Sequence, residues 1–279
     1  MVTRIVKIGG ASITDKSQFE HVKLSNIDFI VDLFKNNYQN LILIHGAGSF
    51  GHHQAKQYKL NEGYKNTDNY EEYCLGVCDT RRSLNRLQQY LLNAFIHAQI
   101  PVVCISPFDF LISNQFELTN ENYKNLYQHI EIILSNGFVP LLHGDILLDK
   151  KIHWSILSGD NLLFKLAEYF QPRQCIFLTS VPGVYQSNGN IIEKFYINEN
   201  KIDNYDQQSS IIDVTGSMHN KVMIASDIIN KIDKCQVFIL QGVSENAKKL
   251  LLSTINDDEN FFLHGCTRIL KKQNNLEIE

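Results

Sequence analysis

The segment Leu41-Ile-Leu-Ile-His45-Gly-Ala-Gly-Ser-Phe-Gly-His52 decides how the rest of the sequence is interpreted. Its opening apolar run is typical of a buried parallel strand, and the turn that follows contains Gly46, Gly48 and Gly51. Because glycine admits positive φ values and lets the backbone approach a ligand, the N–H groups of such a turn can surround an anion. His52 at the end of the turn can donate a hydrogen bond to that anion near neutral pH. The segment therefore predicts a strand followed by an anion-binding turn.

The same arrangement of strand and glycine turn recurs along the chain. A glycine turn on its own is equally consistent with a tight connection between a strand and a helix. Here an apolar strand also precedes a glycine-containing turn in the stretches 4–10, 138–145 and 175–185. Apolar residues at helical spacing lie between these strands, as in the stretches 25–38 and 70–98. This alternation predicts an α/β protein with a mostly parallel sheet, covered by helices on both faces, whose ligands bind along one edge.

The composition is that of an ordinary soluble protein. Of the 279 residues, 44% are hydrophobic and 20% are charged, and the net charge is −4. This length allows one large α/β domain or two lobes, with a break between lobes predicted at 171–173. Because the net charge gives no general attraction to nucleic acid or to an anionic membrane, a phosphate ligand must be held by a few placed cations.

The sequence also bears on location and redox state. No apolar run reaches the length of a membrane span, and the first residues lead into a strand instead of a signal peptide, so we expect a cytoplasmic protein. The cysteines at 74, 78, 104, 175, 235 and 266 are scattered, without a CxxC pair or a histidine at metal-ligand spacing. They predict reduced, mostly buried thiols and imply no structural metal.

Three charged residues lie where charge needs an explanation. Lys7 is inside the first predicted strand, where a buried ammonium costs on the order of several kcal/mol unless it is paired. Either a phosphate at the end of the strand or an edge position with a solvated ammonium would explain it. Asp160 would cap the next helix or hold a cation or a lysine. Gly216 opens a predicted helix whose N-terminus can face phosphate, and Lys221 follows about one turn later.

The long predicted helix, 70–98, carries an apolar stripe formed by Tyr73, Val77, Leu84, Leu87, Leu91 and Phe95. Such a stripe is usually part of the core. A second interpretation is that the small residues Cys74 and Gly76 form a notch that admits the apolar tail of a ligand.

Several short motifs stand out by their order and spacing. They are Lys7-Ile-Gly-Gly, His45-Gly-Ala-Gly-Ser-Phe-Gly-His52, His143-Gly-Asp145, Ser158-Gly-Asp160, Thr179-Ser-Val-Pro-Gly-Val-Tyr185 and Asp213-Val-Thr-Gly-Ser-Met-His-Asn-Lys221. Together they resemble the amino acid kinase superfamily and, within it, the family of isopentenyl phosphate kinases. The resemblance covers essentially the whole chain. It implies an open αβα sandwich, usually a homodimer, with an acceptor-binding lobe at 1–170 and an ATP-binding lobe at 171–279 on one continuous sheet.

The same resemblance implies roles for individual residues. Lys7, Gly9, Gly10 and Ala11 would lie along the ATP phosphates, and Gly48 would contact ATP. Thr179, Gly183 and Tyr185 would lie near the nucleotide, and Gly216 and Lys221 near its phosphates. Ala47, Gly159 and Asp160 would line the acceptor phosphate, and His52 would bind it directly. Lys16 would stabilise the transferring phosphoryl group, so Lys7, Lys16 and His52 form the expected catalytic set.

The reaction that the resemblance implies is in-line transfer of the ATP γ-phosphate to isopentenyl phosphate, with Mg²⁺ accompanying the nucleotide. Such a transfer needs cations and backbone donors more than a covalent nucleophile. A phosphate acceptor, with a second pKa of about 6, is ionised near pH 7 and needs no carboxylate base. The alternatives are a kinase of another small phosphate or phosphonate, similar to fosfomycin kinase, and a non-catalytic nucleotide-binding protein on the same fold. An amino-acid or carbamate kinase would give no reason for His52.

Overall fold

The computed structural model of the protein describes residues 2–65, 69–197, 216–253 and 263–271. The strands are β1 (Arg4–Ile8), β2 (Thr14–Asp15), β3 (His21–Val22), β4 (Leu41–His45), β5 (Val102–Cys104), β6 (Ile112–Ser113), β7 (Val139–His143), β8 (Asp145–Asp149), β9 (His153–Leu157), β10 (Gln174–Thr179), β11 (Lys194–Ile197), β12 (Gln236–Gln241) and β13 (Thr267–Lys271). The helices are α1 (Gly10–Ile13), α2 (Leu24–Asp32), α3 (His52–Gln57), α4 (Tyr70–His97), α5 (Asn120–Ser135), α6 (Gly159–Phe170), α7 (Gly216–Lys231) and α8 (Glu245–Leu252).

The central sheet has eight strands in the order β11-β13-β12-β10-β1-β4-β7-β5. Neighbouring strands are parallel except for β12 and β13, which are antiparallel. The carboxyl ends of β1, β4, β7, β10 and β12 therefore meet at one edge of the sheet. The predicted mostly parallel sheet is confirmed, and the glycine turns that follow β1, β4 and β7 lie at this edge.

Two layers of helices cover this sheet. Apolar residues of α2, α4 and α8 share one core with Val6 and Ile8 of β1. Apolar residues of α5, α6 and α7 share the other core with Ile5. Because side chains alternate along a strand, Lys7 lies on the same face as Ile5 and points toward α6 and α7. The predicted αβα sandwich is confirmed.

Two smaller elements complete the described fold. The first is a hairpin in which β8 and β9 pair in an antiparallel fashion. The second is β11, which lies in a largely polar part of the sequence. Phe195 and Ile197 of this strand are buried, whereas the residues that alternate with them are exposed. Two buried positions within a polar stretch are too few to reveal a strand.

The apolar stripe of α4 belongs to the core. A Cβ on Gly76 would collide with the ring of Tyr58, so this ring already fills the space above the glycine. Tyr73 and Val77 pack on a small cluster around Trp154. Leu87, Leu91 and Phe95 enter the core that α4 shares with α2 and α8. At Gly76, therefore, the ring of Tyr58 fills the space that a ligand tail would need.

In the described residues no helix combines the length and the apolar character that are needed to cross a membrane.

Candidate active site

The turns that follow β1 and β4 pack directly against each other. A Cβ on Gly10 would collide with the backbone nitrogen of Gly48, and a Cβ on Gly46 would lie 2.7 Å from the backbone nitrogen of Gly10. Gly48 has φ +56°, in the left-handed region that glycine adopts most readily. Ala11 and Ala47 are half-buried beside these glycines. Side chains would separate the two turns, so glycine is required here to bring the backbones together.

Thr14 holds these two turns together and was missed as a site residue in the sequence. Its hydroxyl donates a hydrogen bond to the carbonyl oxygen of Gly10 (2.8 Å) and accepts one from the backbone nitrogen of Ser49 (3.0 Å). The only signal in the sequence is a small hydroxylated residue shortly after the first glycine turn, between that turn and Lys16. Such a signal is common and does not by itself predict this contact.

Lys7, Asp160 and Lys221 form a buried ion cluster. The Nζ of Lys7 is 2.9 Å from Oδ1 of Asp160, and the Nζ of Lys221 is 3.5 Å from Oδ2. The three side chains are only 8–11% exposed. Lys221 also donates to the carbonyl and hydroxyl oxygens of Ser217, at 3.0 Å each. We call Lys7, Asp160 and Lys221 the cation centre.

The structure shows whether Asp160 caps α6 and whether Lys7 lies at an edge of the sheet, two points that the sequence left open. Ser158 caps α6, because its hydroxyl accepts a hydrogen bond from the backbone nitrogen of Asn161 (3.1 Å). Asp160 is therefore free to hold the two lysines. Since β1 lies between β10 and β4, Lys7 is in the middle of the sheet and does not reach solvent from an edge. Gly159 allows the close approach, because a Cβ there would lie 3.0 Å from Cε of Lys7.

The charges of the cation centre oppose the effect of burial. Burial alone raises the pKa of Asp160, but the ammonium groups of Lys7 and Lys221 outweigh it and the pKa is lowered. The pKa of Lys221 is lowered because burial outweighs the attraction of Asp160, and Lys7 adds to the lowering. Asp160 therefore stays ionised near neutral pH. It holds Lys7 near the carboxyl end of β1 and Lys221 near the start of α7.

His52 and Lys16 lie at the exposed rim of the same site. His52 is the first residue of α3, and Lys16 lies in the turn between β2 and β3. Although the side chain of His52 reaches solvent, desolvation lowers its pKa, followed by the charges of Lys16 and Lys7 and a smaller contribution from Lys221. The imidazole therefore lies within electrostatic range of all three lysines. We call Lys16 and His52 the rim.

A pair of buried histidines lies beneath the glycine turns. His45 and His143 end the neighbouring strands β4 and β7, and their ring centroids are 5.2 Å apart. The Nδ1 atom of each lies near the carbonyl oxygen of the next glycine, at 3.2 Å for His45 and 2.9 Å for His143. Burial, with a smaller effect of His143, lowers the pKa of His45 to about 3. His45 is therefore neutral at physiological pH and does not add to the cationic charge of the site.

The residues expected near the nucleotide lie on the β10 side of the site. Gly9 and Thr179 both lie at the carboxyl end of β10, since the Gly9 nitrogen donates to the Leu178 carbonyl (2.8 Å) and Thr179 is the last residue of β10. Gly183 packs against Thr267 of β13 and Tyr185 forms a bridge with Ile191, so these two lie outside the lysine cluster. Gly216 begins α7 as predicted. The preceding part of that motif, 213–215, lies outside the described residues.

The fold and the site define a class of protein. The sequence profile of the amino acid kinase family matches residues 3–241, and the chain belongs to that family. An isopentenyl phosphate kinase of Methanocaldococcus jannaschii is 32% identical over 266 residues, which cover 91% of this chain and 97% of the relative. One from Arabidopsis thaliana is 25% identical over 311 residues, 91% of either chain. The product complex of T. acidophilum isopentenyl phosphate kinase has a TM-score of 0.73 at 21% identity, covering 96% of this chain and all of that one.

Proposed function

We propose that the protein transfers the γ-phosphate of ATP to isopentenyl phosphate and releases isopentenyl diphosphate and ADP. The observation that carries this proposal is the convergence of His52 with Lys7, Lys16 and Lys221 at one edge of the sheet, above the paired glycine turns. The relatives support the identity of the acceptor, because those with 32% and 25% identity are isopentenyl phosphate kinases over nearly their whole length.

Charge explains how these residues would act. In-line transfer brings the negative phosphates of donor and acceptor together, so the barrier depends on cations placed around the moving group. Lys221 directs its three N–H donors at Asp160 and Ser217 and would act through its charge. Lys7 also has three N–H donors, and its contact with Asp160 uses only part of them. The remaining donors are available to phosphate oxygens. Lys16 approaches from the rim and supplies a further positive charge to the group in transfer.

The two substrates would bind on opposite sides of the cation centre. ATP phosphates would lie along Gly9, Gly10, Ala11 and Gly48, near the start of α7, and the nucleoside would lie toward Thr179, Gly183 and Tyr185. The acceptor phosphate would lie beside Ala47 and the start of α6, where Gly159 and Asp160 are the first two residues. The N-terminus of a helix favours an anion. The neutral imidazole of His52 would donate one hydrogen bond to it. No base is required, because the acceptor is already ionised.

Magnesium would enter with the nucleotide. Within the described ranges no cluster of three or more His, Cys, Asp or Glu side chains is arranged to hold a metal. Both carboxylate oxygens of Asp160 already face lysines. These residues do not form a protein-held magnesium site. We therefore place Mg²⁺ on the phosphate oxygens of ATP, where it would keep several water ligands.

The remaining proposals concern the architecture of the whole protein. Residues up to 170 supply β1, β4, β5 and β7, and we assign the acceptor to this lobe. Residues from 171 onward supply β10 to β13, and we assign ATP to that lobe. We also propose a homodimer in the cytoplasm. Sedimentation velocity on the purified chain tests the dimer, which a single species near 32.1 kDa would refute.

Two alternative functions remain distinguishable. A kinase of another phosphate or phosphonate, similar to fosfomycin kinase, would phosphorylate that acceptor faster than isopentenyl phosphate. A non-catalytic nucleotide-binding protein would bind ATP without turnover, but retention of Lys7, Lys16 and Lys221 argues against it.

Steady-state kinetics with a panel of acceptors tests the proposal. We expect isopentenyl phosphate to give a higher kcat/KM than dimethylallyl phosphate, geranyl phosphate or fosfomycin. His52→Ala should raise the acceptor KM about 10- to 100-fold, because a hydrogen bond to a charged group contributes roughly 1.5–3 kcal/mol. The KM for ATP should change little. His97→Ala, at the exposed end of α4, is the matched control. Faster turnover of fosfomycin, or a His52 variant as active as the parent, would refute the assignment.

A further inference from the structure

The turn that carries Lys16 is short and exposed, and it depends on a few polar contacts. It joins β2 to β3, and residues 16–19 are exposed. At its start, the carboxylate of Asp15 accepts hydrogen bonds from the backbone nitrogen (3.0 Å) and the hydroxyl (2.7 Å) of Ser17. These contacts shape the turn locally but do not connect it to the rest of the site.

Glu20 connects the end of this turn to two helices. Its Oε1 accepts a hydrogen bond from Nε2 of Gln54 on α3 (3.1 Å), and its Oε2 faces NH1 of Arg86 on α4 (2.7 Å). The carboxylate is only 12% exposed and Gln54 is fully buried. The backbone nitrogen of Glu20 also lies 3.3 Å from the carbonyl oxygen of Ser49 in the glycine turn. One residue thus ties the turn to the helix that begins with His52.

The backbone of Glu20 indicates that this position is held by its surroundings. Its φ is +48°, in the left-handed region that residues other than glycine rarely adopt. Such a conformation persists where the surrounding contacts impose it, and such residues cluster at functional sites. An unstrained turn of this kind would normally carry glycine or asparagine at this place. The glutamate side chain and its two partners therefore account for a residue that the backbone alone would not favour.

A second contact joins the same two elements. Nε2 of His53 lies 3.2 Å from the carbonyl oxygen of Lys16, and the rings of His53 and Phe19 meet edge to face with centroids 6.0 Å apart. In α3, therefore, His52 belongs to the rim while the next two residues, His53 and Gln54, both hold the turn of Lys16. The helix that presents the imidazole also fixes the position of the ammonium.

We propose that Glu20 is a positioning residue which, through Gln54 and Arg86, fixes the Lys16 turn relative to His52 so that the ammonium meets the phosphoryl group in transfer. This inference rests on the proposed phosphoryl transfer but not on the identity of the acceptor. Because α3 has its own contacts with α4, loss of Glu20 should displace the turn and leave acceptor binding intact. The effect should therefore fall on kcat and not on either KM.

A double-mutant cycle with Lys16 tests this. Glu20→Ala should lower kcat by about 10- to 100-fold, the effect of a displacement of about 1 Å, and change each KM less than about 3-fold. In a Lys16→Ala background the same substitution should lower kcat less than about 2-fold, because the group it positions is gone. Glu20→Gln, which keeps the size and one acceptor for Gln54, should fall between Glu20→Ala and the parent.

Glu168→Ala is the matched control, because Glu168 also contacts two cations, Lys165 (2.9 Å) and Lys231 (2.8 Å), but lies far along α6 from the site. It should leave kcat unchanged.

Hydrogen exchange of the peptide 14–22 gives a readout that needs no turnover, and Glu20→Ala should accelerate exchange there. An equal loss of kcat in both backgrounds, a loss confined to KM, or unchanged exchange would overturn the proposal. If the parent prefers another phosphate acceptor, the proposed function fails, and the cycle is measured with that acceptor.

Discussion

The cation centre and the rim both contribute positive charge at one edge of the sheet, but the two groups differ in how that charge is held. Lys7, Asp160 and Lys221 lie on β1, α6 and α7, are nearly fully buried, and are fixed by the sheet and by each other. Lys16 and His52 lie on a turn and at the start of a six-residue helix, and both reach solvent. From this difference we expect substitutions of the buried charges to lower the stability of the fold. We expect substitutions of the exposed charges at the rim to have little effect on folding. Variants of the two groups should therefore differ in their free energy of unfolding.

The largest effect is expected for Asp160→Asn. This change leaves two buried ammonium groups close together without their counter-charge. Removing one partner of a buried ion pair destabilises a protein by about 3–5 kcal/mol. We therefore expect the free energy of unfolding to fall by this amount and kcat to fall strongly, because Lys7 and Lys221 lose the group that holds them. Urea denaturation at pH 7.5, followed by far-UV circular dichroism, measures the first effect.

The surface pair of Arg82 and Asp79 provides the control for this comparison. Exposed ion pairs contribute about 0–1 kcal/mol, so Asp79→Asn should leave the free energy of unfolding and kcat nearly unchanged. If Asp160→Asn were no more destabilising than Asp79→Asn, the cation centre would not be coupled to the fold. The contrast with the rim would then fail.

Much of the fold was predictable because its signals are local. The run 4–8 and the helix at 70–98 match β1 and α4 closely, since a buried strand and an amphipathic helix show their periods in the sequence itself. The strand β11 was not predicted. It is short, and it acquires its role by pairing with β13, some 70 residues further along the chain, which no local pattern records.

The candidate site was predictable in its residue types but not in its pairings. Glycines at the ends of β1 and β4 predict close backbone approach, and the structure has it. That Asp160 holds Lys7 and Lys221 depends on the placement of α6 and α7 against one face of the sheet, so the sequence left a cap and a cation partner as equal interpretations. The contact of Glu20 with Gln54 was invisible, because it requires a left-handed backbone at a residue that does not normally favour one.

A smaller and purely functional effect is expected for Lys16→Ala. Removal of one donor that acts on developing charge typically lowers kcat by about 10²- to 10³-fold. Because Lys16 is exposed and its side chain is not part of the core, the free energy of unfolding should change by less than about 0.5 kcal/mol. Lys56→Ala, on an exposed lysine one turn after His52, is the control and should retain kcat. A destabilisation comparable with that of Asp160→Asn would remove the distinction between centre and rim.

The smallest effect concerns the pH dependence of the rim. The pKa of His52 is lowered from its usual value of 6.5, first by desolvation and then by Lys16. As pH falls below about 6.5, the unfolded chain therefore takes up this proton before the folded one, and a small part of the stability present above that pH is lost. In the free enzyme, His52 should remain neutral to lower pH than an ordinary histidine, so the acid limb of kcat/KM for the acceptor should reflect the acceptor phosphate itself.

We therefore expect log kcat/KM to fall with a slope of one below a midpoint near pH 6, the second pKa of a phosphate monoester, at about the same pH in the parent and in His52→Ala. The variant should be lower by a constant factor above the midpoint. In Lys16→Ala the second cause of the lowered histidine pKa is absent, so an NMR titration should show the imidazole of His52 titrating at higher pH than in the parent. A slope of two for log kcat/KM in the parent would mean that His52 and the acceptor phosphate take up protons in the same pH range. In that case the charges of the rim would not act on His52 as the structure indicates.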